Sequence, residues 1–136
     1  MMEISKYITL AEATTSQTAV RKNIANIPNA QQLESMKLVA VNVFDKVREH
    51  FGKPIRVSSF FRSLLLNNAV GGSKTSQHVK GEAIDMQGMD GITNEQIFNY
   101  IKDNLDFDQL INEYNFSWVH VSYKKSGNRK QVLIIK

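Results

Sequence analysis

His78 closes a polar run, Ser76-Gln77-His78, and Asp85 follows seven positions later between Ile84 and Met86. A carboxylate set among apolar neighbours is costly to bury unless a cation compensates it. Gly81 lies between the two and permits a sharp turn, so their side chains can converge on one point. A third candidate, His120, sits in Trp118-Val119-His120-Val121-Ser122-Tyr123. In a strand this pattern points Trp118, His120 and Ser122 to one face and leaves Val119 and Val121 for the core on the other. Two imidazoles and one carboxylate form a donor set suited to catalytic zinc, which keeps a fourth position open for water or substrate. The same residues also fit a plainer pattern, a hydrogen-bonded His–Asp pair and a core histidine beside an aromatic. His50, near the end of a long helical pattern, suits the helix dipole and is read as structural.

Composition narrows the chemistry. The 136 residues include no Cys, which excludes thiol catalysis, disulfide scaffolds and Cys-based zinc fingers and leaves His, Asp and Glu to hold any metal. A chain of this length buries roughly two thirds of its unfolded surface, so a core forms without a metal staple and a bound metal is expected to be functional. No apolar stretch approaches the roughly 20 residues of a membrane span, and Met1 to Lys6 lack the basic end and apolar run of a signal peptide. The expectation is a soluble chain made in the cytoplasm, without membrane insertion. Of the 17 Lys and Arg, five (Lys124, Lys125, Arg129, Lys130 and Lys136) follow residue 123 with no acid among them, so the remaining 12 face 13 acids. The basic character belongs to the end of the chain. Basic and aromatic residues are not interleaved in the manner of a nucleic-acid surface, and no nucleic-acid partner is expected.

One domain, residues 1–136, must position these groups, because no repeat or Pro/Gly/Ser-rich linker divides the sequence. Asn29 is placed to cap a helix over 30–51, with Leu33, Met36, Ala40, Val43, Phe44, Val47 and Phe51 on its inner face and Gly52 and Pro54 to stop it. Shorter helices are predicted over 16–23 and 63–69, and a capping box, Thr93 with Gln96, opens one running to about Leu105. Strands are predicted over 54–59, 83–86, 108–113, 118–123 and 131–135. Helices first and strands last argue for an α+β fold, N-terminal helices packed on a small, mostly antiparallel C-terminal sheet.

The combination Ser-x-His-x-x-Gly-x-Ala-x-Asp over residues 76–85, followed by Trp118-x-His120, resembles the zinc D-alanyl-D-alanine carboxypeptidase family, whose members include bacterial carboxypeptidases, dipeptidases and phage endolysins. Ile55 to Ser63 is similar to that family's strand and turn, and Gly71 to His78 to its approach to the first metal ligand. Phe107 to Ile111 with Trp118 to Tyr123 is similar to its closing hairpin. Ser16 to Pro28 resembles the N-terminal segment of a compact, phage-associated branch.

The resemblance implies a zinc peptidase cutting D-amino-acid bonds of peptidoglycan, as a carboxypeptidase or an endolysin-type endopeptidase. It implies His78, Asp85 and His120 as Zn2+ ligands and Arg62 as the group that holds a substrate carboxylate, a task suited to a guanidinium fork. Ser76 and Gln77 either orient substrate or cap the loop. The sequence departs from the family at the general base: where several members carry a carboxylate three positions before the last His, this chain has Ser117. If Asn115 and Phe116 form a two-residue turn, Glu113 pairs with Trp118 and Ile111 with His120, which puts Glu113 on the His120 face; a four-residue turn puts it directly opposite His120, and a three-residue or bulged turn breaks this parity. Glu113 is therefore the expected base. Glu82 is the competitor, but alternation turns it away from Asp85 and toward a structural ion pair. Ser117 leaves a second reading open, a catalytically silent zinc-containing module that binds cell-wall peptides. The partner in either case is a peptidoglycan stem peptide or cross-bridge, the chain is expected to be a monomer, and access to the wall would depend on release by another factor.

Overall fold

A computed structural model describes residues 2–136. The long helix opens as its sequence dictates. The Asn29 side chain accepts the Gln32 N–H at 2.8 Å while Gln32 Oε1 accepts the Asn29 N–H at 2.8 Å, a reciprocal capping box. The helix runs as α3 (Ala30–Val39), a π-helical turn (Ala40–Phe44) and α4 (Asp45–Phe51), and it ends at Gly52 with a left-handed φ of 65°. Met36, Val39, Ala40, Val43, Phe44 and Val47 are all buried, so the apolar stripe is core. Asp45 is buried beside them. Burial pushes its carboxyl above the usual range, and the Ser5 hydroxyl donates to it at 2.8 Å, which ties the N-terminal strap to the helix.

Before that helix stand two single-turn elements, α1 (Leu10–Thr14) and α2 (Gln17–Arg21). Ser16 caps α2, within the predicted 16–23 span. No helix was predicted over 10–14; Thr9 and Glu12 form a second capping box there, a signal hidden in a polar, Thr-rich stretch. After β1 (Arg56–Ser59), Ser63 caps α5 (Leu64–Ala69); β2 (Ala83–Gln87) and α6 (Asn94–Asn104) follow, with the Thr93 and Gln96 capping box in place. Strands β3 (Gln109–Glu113), β4 (Trp118–Ser122) and β5 (Gln131–Ile135) complete the chain.

The five strands form one sheet in the order β1-β2-β4-β3-β5, antiparallel except for β5, which runs parallel to β3. This is the α+β arrangement expected. The period of two sorts the strands cleanly. Ile84, Met86, Leu110, Val119 and Val121 are fully buried and join the helices in a single core. Asp85, His120 and Ile111 alternate with them and form one row across the opposite face, Asp85 pairing with His120 and His120 with Ile111. The segment between α5 and β2 folds over this second face, as the Arg62 N–H to His78 carbonyl bond of 3.3 Å shows.

Candidate metal centre

The register of β2 and β4 sets Asp85 beside His120, and His120 Nδ1 stands 2.9 Å from Asp85 Oδ1. His78 arrives from a different element. Its loop is wound into consecutive turns by Val79 N–H to Ser76 O, Lys80 N–H to Gln77 O and Gly81 N–H to His78 O, each 3.2 Å. Gly81 completes the winding with φ +74°, and a Cβ there would meet the Gln32 carbonyl oxygen at 2.6 Å and Met36 Cγ at 2.9 Å. Only glycine meets both demands. The loop so formed points His78 Nε2 at Asp85 Oδ2, 3.2 Å away.

The donor chemistry suits a cation. The Phe60 carbonyl lies 2.7 Å from His78 Nδ1 and can only accept, so Nδ1 carries hydrogen and the Nε2 lone pair faces Asp85. A lone pair facing an ionised carboxylate is repelled unless a proton or metal ion lies between them. One donor atom from each of His78, Asp85 and His120 falls within 4.8 Å of the others. Donors placed about 2 Å from a tetrahedral ion stand about 3.3 Å apart; His78 Nε2 is 3.2 Å from Asp85 Oδ2 and His120 Nδ1 is 2.9 Å from Asp85 Oδ1, so each imidazole addresses its own carboxylate oxygen. Burial alone would raise the Asp85 carboxyl; with protons rather than a metal ion in the gap, the pull of His78 and N–H donation from both imidazoles hold it below the usual carboxylate range.

Arg62 approaches the same carboxylate, with Nη2 3.8 Å from Asp85 Oδ2. It is braced by Nε to Ser59 Oγ and Nη1 to Asn67 Oδ1, both 3.3 Å. Asn67 is fully buried and spends its amide nitrogen on the Ser73 carbonyl at 2.8 Å, so its oxygen stays turned to the guanidinium.

A family model described as Peptidase M15 matches residues 6–122. The chain belongs to the M15 peptidase family. A search of the curated proteins finds no match. Membership makes this M15 peptidase a zinc metallopeptidase that acts on peptidoglycan peptides, and His78, Asp85 and His120 form its possible metal-binding group.

The other expected site residues fall around that group. Glu113 pairs with Trp118 and Ile111 with His120, so Glu113 shares the His120 face one pair further along. The connection is a four-residue turn in which Tyr114, Asn115 and Phe116 all take positive φ. The Trp118 indole N–H donates to the Glu113 carboxylate. Ser117 turns its hydroxyl to the Tyr114 carbonyl at 2.6 Å, within that turn. Ser76 Oγ accepts the His78 N–H at 3.2 Å and so caps the His78 loop. Gln77 lies between Asp108, which accepts its Nε2 at 2.9 Å, and His120, whose Nε2 is 3.5 Å from its Oε1. The Glu82 side chain forms no ion pair among the described residues, contrary to the structural pair expected of it. His50 stacks on Tyr100 with ring centroids 3.9 Å apart. Among the described residues, no helix is long and apolar enough to cross a membrane.

Sequence reasoning did not select Asn67, Asp108 or Arg129. Asn67 is one of two adjacent asparagines in a short helix. A buried asparagine five residues after the candidate arginine is a signal visible only once Arg62 is under suspicion.

Proposed function

We propose that this M15 peptidase hydrolyses D-amino-acid peptide bonds in peptidoglycan stem peptides or cross-bridges, as a carboxypeptidase or an endolysin-type endopeptidase. The convergence of His78, Asp85 and His120 on one point beside the Arg62 guanidinium carries the reading. Zinc bound by those three side chains supplies Lewis-acid polarisation of the scissile carbonyl and a water acidified toward a pKa of about 7.

The chain's own residues do the rest. Arg62 holds a substrate carboxylate in two parallel hydrogen bonds, and its bracing by Ser59 and Asn67 fixes the fork before substrate arrives. Glu113 is the proton carrier. One carboxylate oxygen takes the Trp118 indole N–H, which leaves the other to accept a proton from the attacking water and deliver it to the leaving amine. Ser117 does not substitute for it, since its hydroxyl is committed to the turn.

The test incubates zinc-loaded protein with D-amino-acid stem peptides, cross-linked muropeptides and all-L control peptides, and identifies products by mass spectrometry. Scission confined to the D-containing substrates, lost on chelation and restored by zinc, is the expected result. Glu113→Gln is expected to lower kcat by about 10²–10⁴-fold while zinc stays bound. Failure of the zinc-loaded wild type to cut any of them would sink the proposal and leave the silent binding module.

A further inference from the structure

Asp108, the residue just before β3, has no exposed surface. Donors surround it: Oδ1 takes the Arg129 backbone N–H at 3.2 Å and Arg129 Nε at 2.9 Å. Oδ2 takes Arg129 Nη2 and Gln77 Nε2, both at 2.9 Å, with Lys124 Nζ 3.8 Å away. An ionised carboxylate only accepts, so the Gln77 amide must turn its nitrogen toward Asp108. Its oxygen is left facing His120 Nε2 at 3.5 Å. An amide oxygen also only accepts, which favours the ring form of His120 with hydrogen on Nε2 and the lone pair on Nδ1. Nδ1 is the atom 2.9 Å from Asp85 Oδ1.

We propose that Gln77 is a positioning residue: clamped by Asp108 and Arg129, it selects the His120 tautomer that presents Nδ1 to the metal. The inference rests on the metal-centre reading above. It gives His120 the counterpart of what the Phe60 carbonyl gives His78, an acceptor for the nitrogen that does not face Asp85. The two differ in one respect. A backbone carbonyl can present only oxygen, whereas a carboxamide has interchangeable ends and needs a third group to decide which one faces the ring. Asp108 makes that decision, and Arg129 holds Asp108. Arg129 and Lys124 lie beyond the residues 6–122 that the family model matches, so the basic C-terminal segment reaches the site through this carboxylate. At 3.5 Å the contact is long for a hydrogen bond. Its weight falls on which nitrogen carries hydrogen, and its effect on affinity belongs at the low end of the 10–100-fold span usual for groups behind a metal ligand.

The experiment loads the full chain, labelled with ¹⁵N-histidine, with ¹¹³Cd and reads which ring nitrogens couple to the ion, alongside competition measurements of zinc Kd. The wild type is expected to couple through His78 Nε2 and His120 Nδ1. Gln77→Met, of similar length but with neither donor nor acceptor, is expected to weaken zinc about 10-fold and to lose unique coupling at His120 Nδ1. Asp108→Asn is expected to weaken zinc when Gln77 is present and to add little in the Gln77→Met background. Unchanged Kd and unchanged Nδ1 coupling in Gln77→Met would overturn the proposal, as would an equal Asp108→Asn effect in both backgrounds. If Asp108→Asn does not fold, the Gln77→Met comparison decides alone. Failure of the metal centre is distinct: a wild type that binds no ion, or binds it undiminished after His120→Ala, removes both readings together.

Discussion

Gly81 and Gly71 share a φ of +74°, yet their surroundings are opposites. A Cβ on Gly71 meets nothing within 4 Å, while one on Gly81 meets the Gln32 carbonyl oxygen at 2.6 Å and Met36 Cγ at 2.9 Å. Alanine at either position incurs the left-handed backbone cost of about 1–2 kcal/mol. At Gly81 an overpacking term of about 1–3 kcal/mol adds to it, because a backbone oxygen of α3 cannot turn aside as a side chain can. Gly71→Ala is thus expected to lower stability by about 1–2 kcal/mol and Gly81→Ala by about 2–5 kcal/mol. With about 3 °C of Tm per kcal/mol for a domain of this size, Gly81→Ala melts about 3–9 °C below Gly71→Ala. Thermal unfolding of the metal-free proteins by circular dichroism measures the difference. Because the displaced loop carries His78, Gly81→Ala also weakens zinc binding, whereas Gly71→Ala leaves it within about twofold. Coincident melting of the two variants would refute the reasoning, since the close approach to α3 would then carry no energy.

Arg62→Ala is expected to lower kcat/KM by about 10–100-fold on substrates with a free carboxylate near the scissile bond, the equivalent of a lost charged hydrogen bond. Amidated substrates should be nearly unaffected, and Arg62→Lys should not rescue, because an ammonium lacks the fork; an equal loss on both substrate types would remove the assigned role. For acid stability, the Arg129 side-chain hydrogen bonds hold the Asp108 carboxyl down at about 2 against the opposing effect of burial. A depressed folded-state value contributes stability that is complete above the unfolded carboxylate range near pH 4 and is lost as pH falls toward about 2. Urea unfolding of the metal-free protein should therefore steepen in its pH dependence across that window, and Asp108→Asn should flatten it; parallel curves would contradict the ion pair's contribution. Asp45, raised by burial, acts in the opposite sense and is common to both proteins.

The grouping of His78, Asp85 and His120 was legible because its signals are local. Asp85 betrays itself by sitting between two core residues, and strict alternation around Val119 and Val121 leaves His120 one face to occupy. The Glu113 register followed from counting residues across a short hairpin, even though the turn uses three left-handed residues in a row. Asp108 was invisible for the opposite reason. Its partners are Gln77, Lys124 and Arg129, separated from it by 16 to 31 positions, and nothing in the local pattern marks it as buried. The same limit hid the place of β5. Its β-branched and apolar run, Val132 to Ile135, announces a strand, but adjacency in sequence suggests pairing with β4, a position already taken by β2 and β3. Three- and four-residue spacing announced the 30–51 helix but not its π turn, because Ala40, Val43, Phe44 and Val47 follow the same spacing as a regular α-helix.

That π turn holds one more residue than a regular α-helical turn would. Winding the same residues as an ordinary α-helix would leave that residue unabsorbed and rotate everything beyond it by roughly 100°. Val47 would leave the core, and Asp45 would swing away from the Ser5 hydroxyl that it now meets at 2.8 Å. The wide turn therefore acts as a phase adjuster between the half of the helix that backs the His78 loop and the half that anchors the start of the chain. Deleting one residue there would let the segment return to ordinary winding with both halves still seated, whereas ordinary winding at the present length would force one half to be rebuilt.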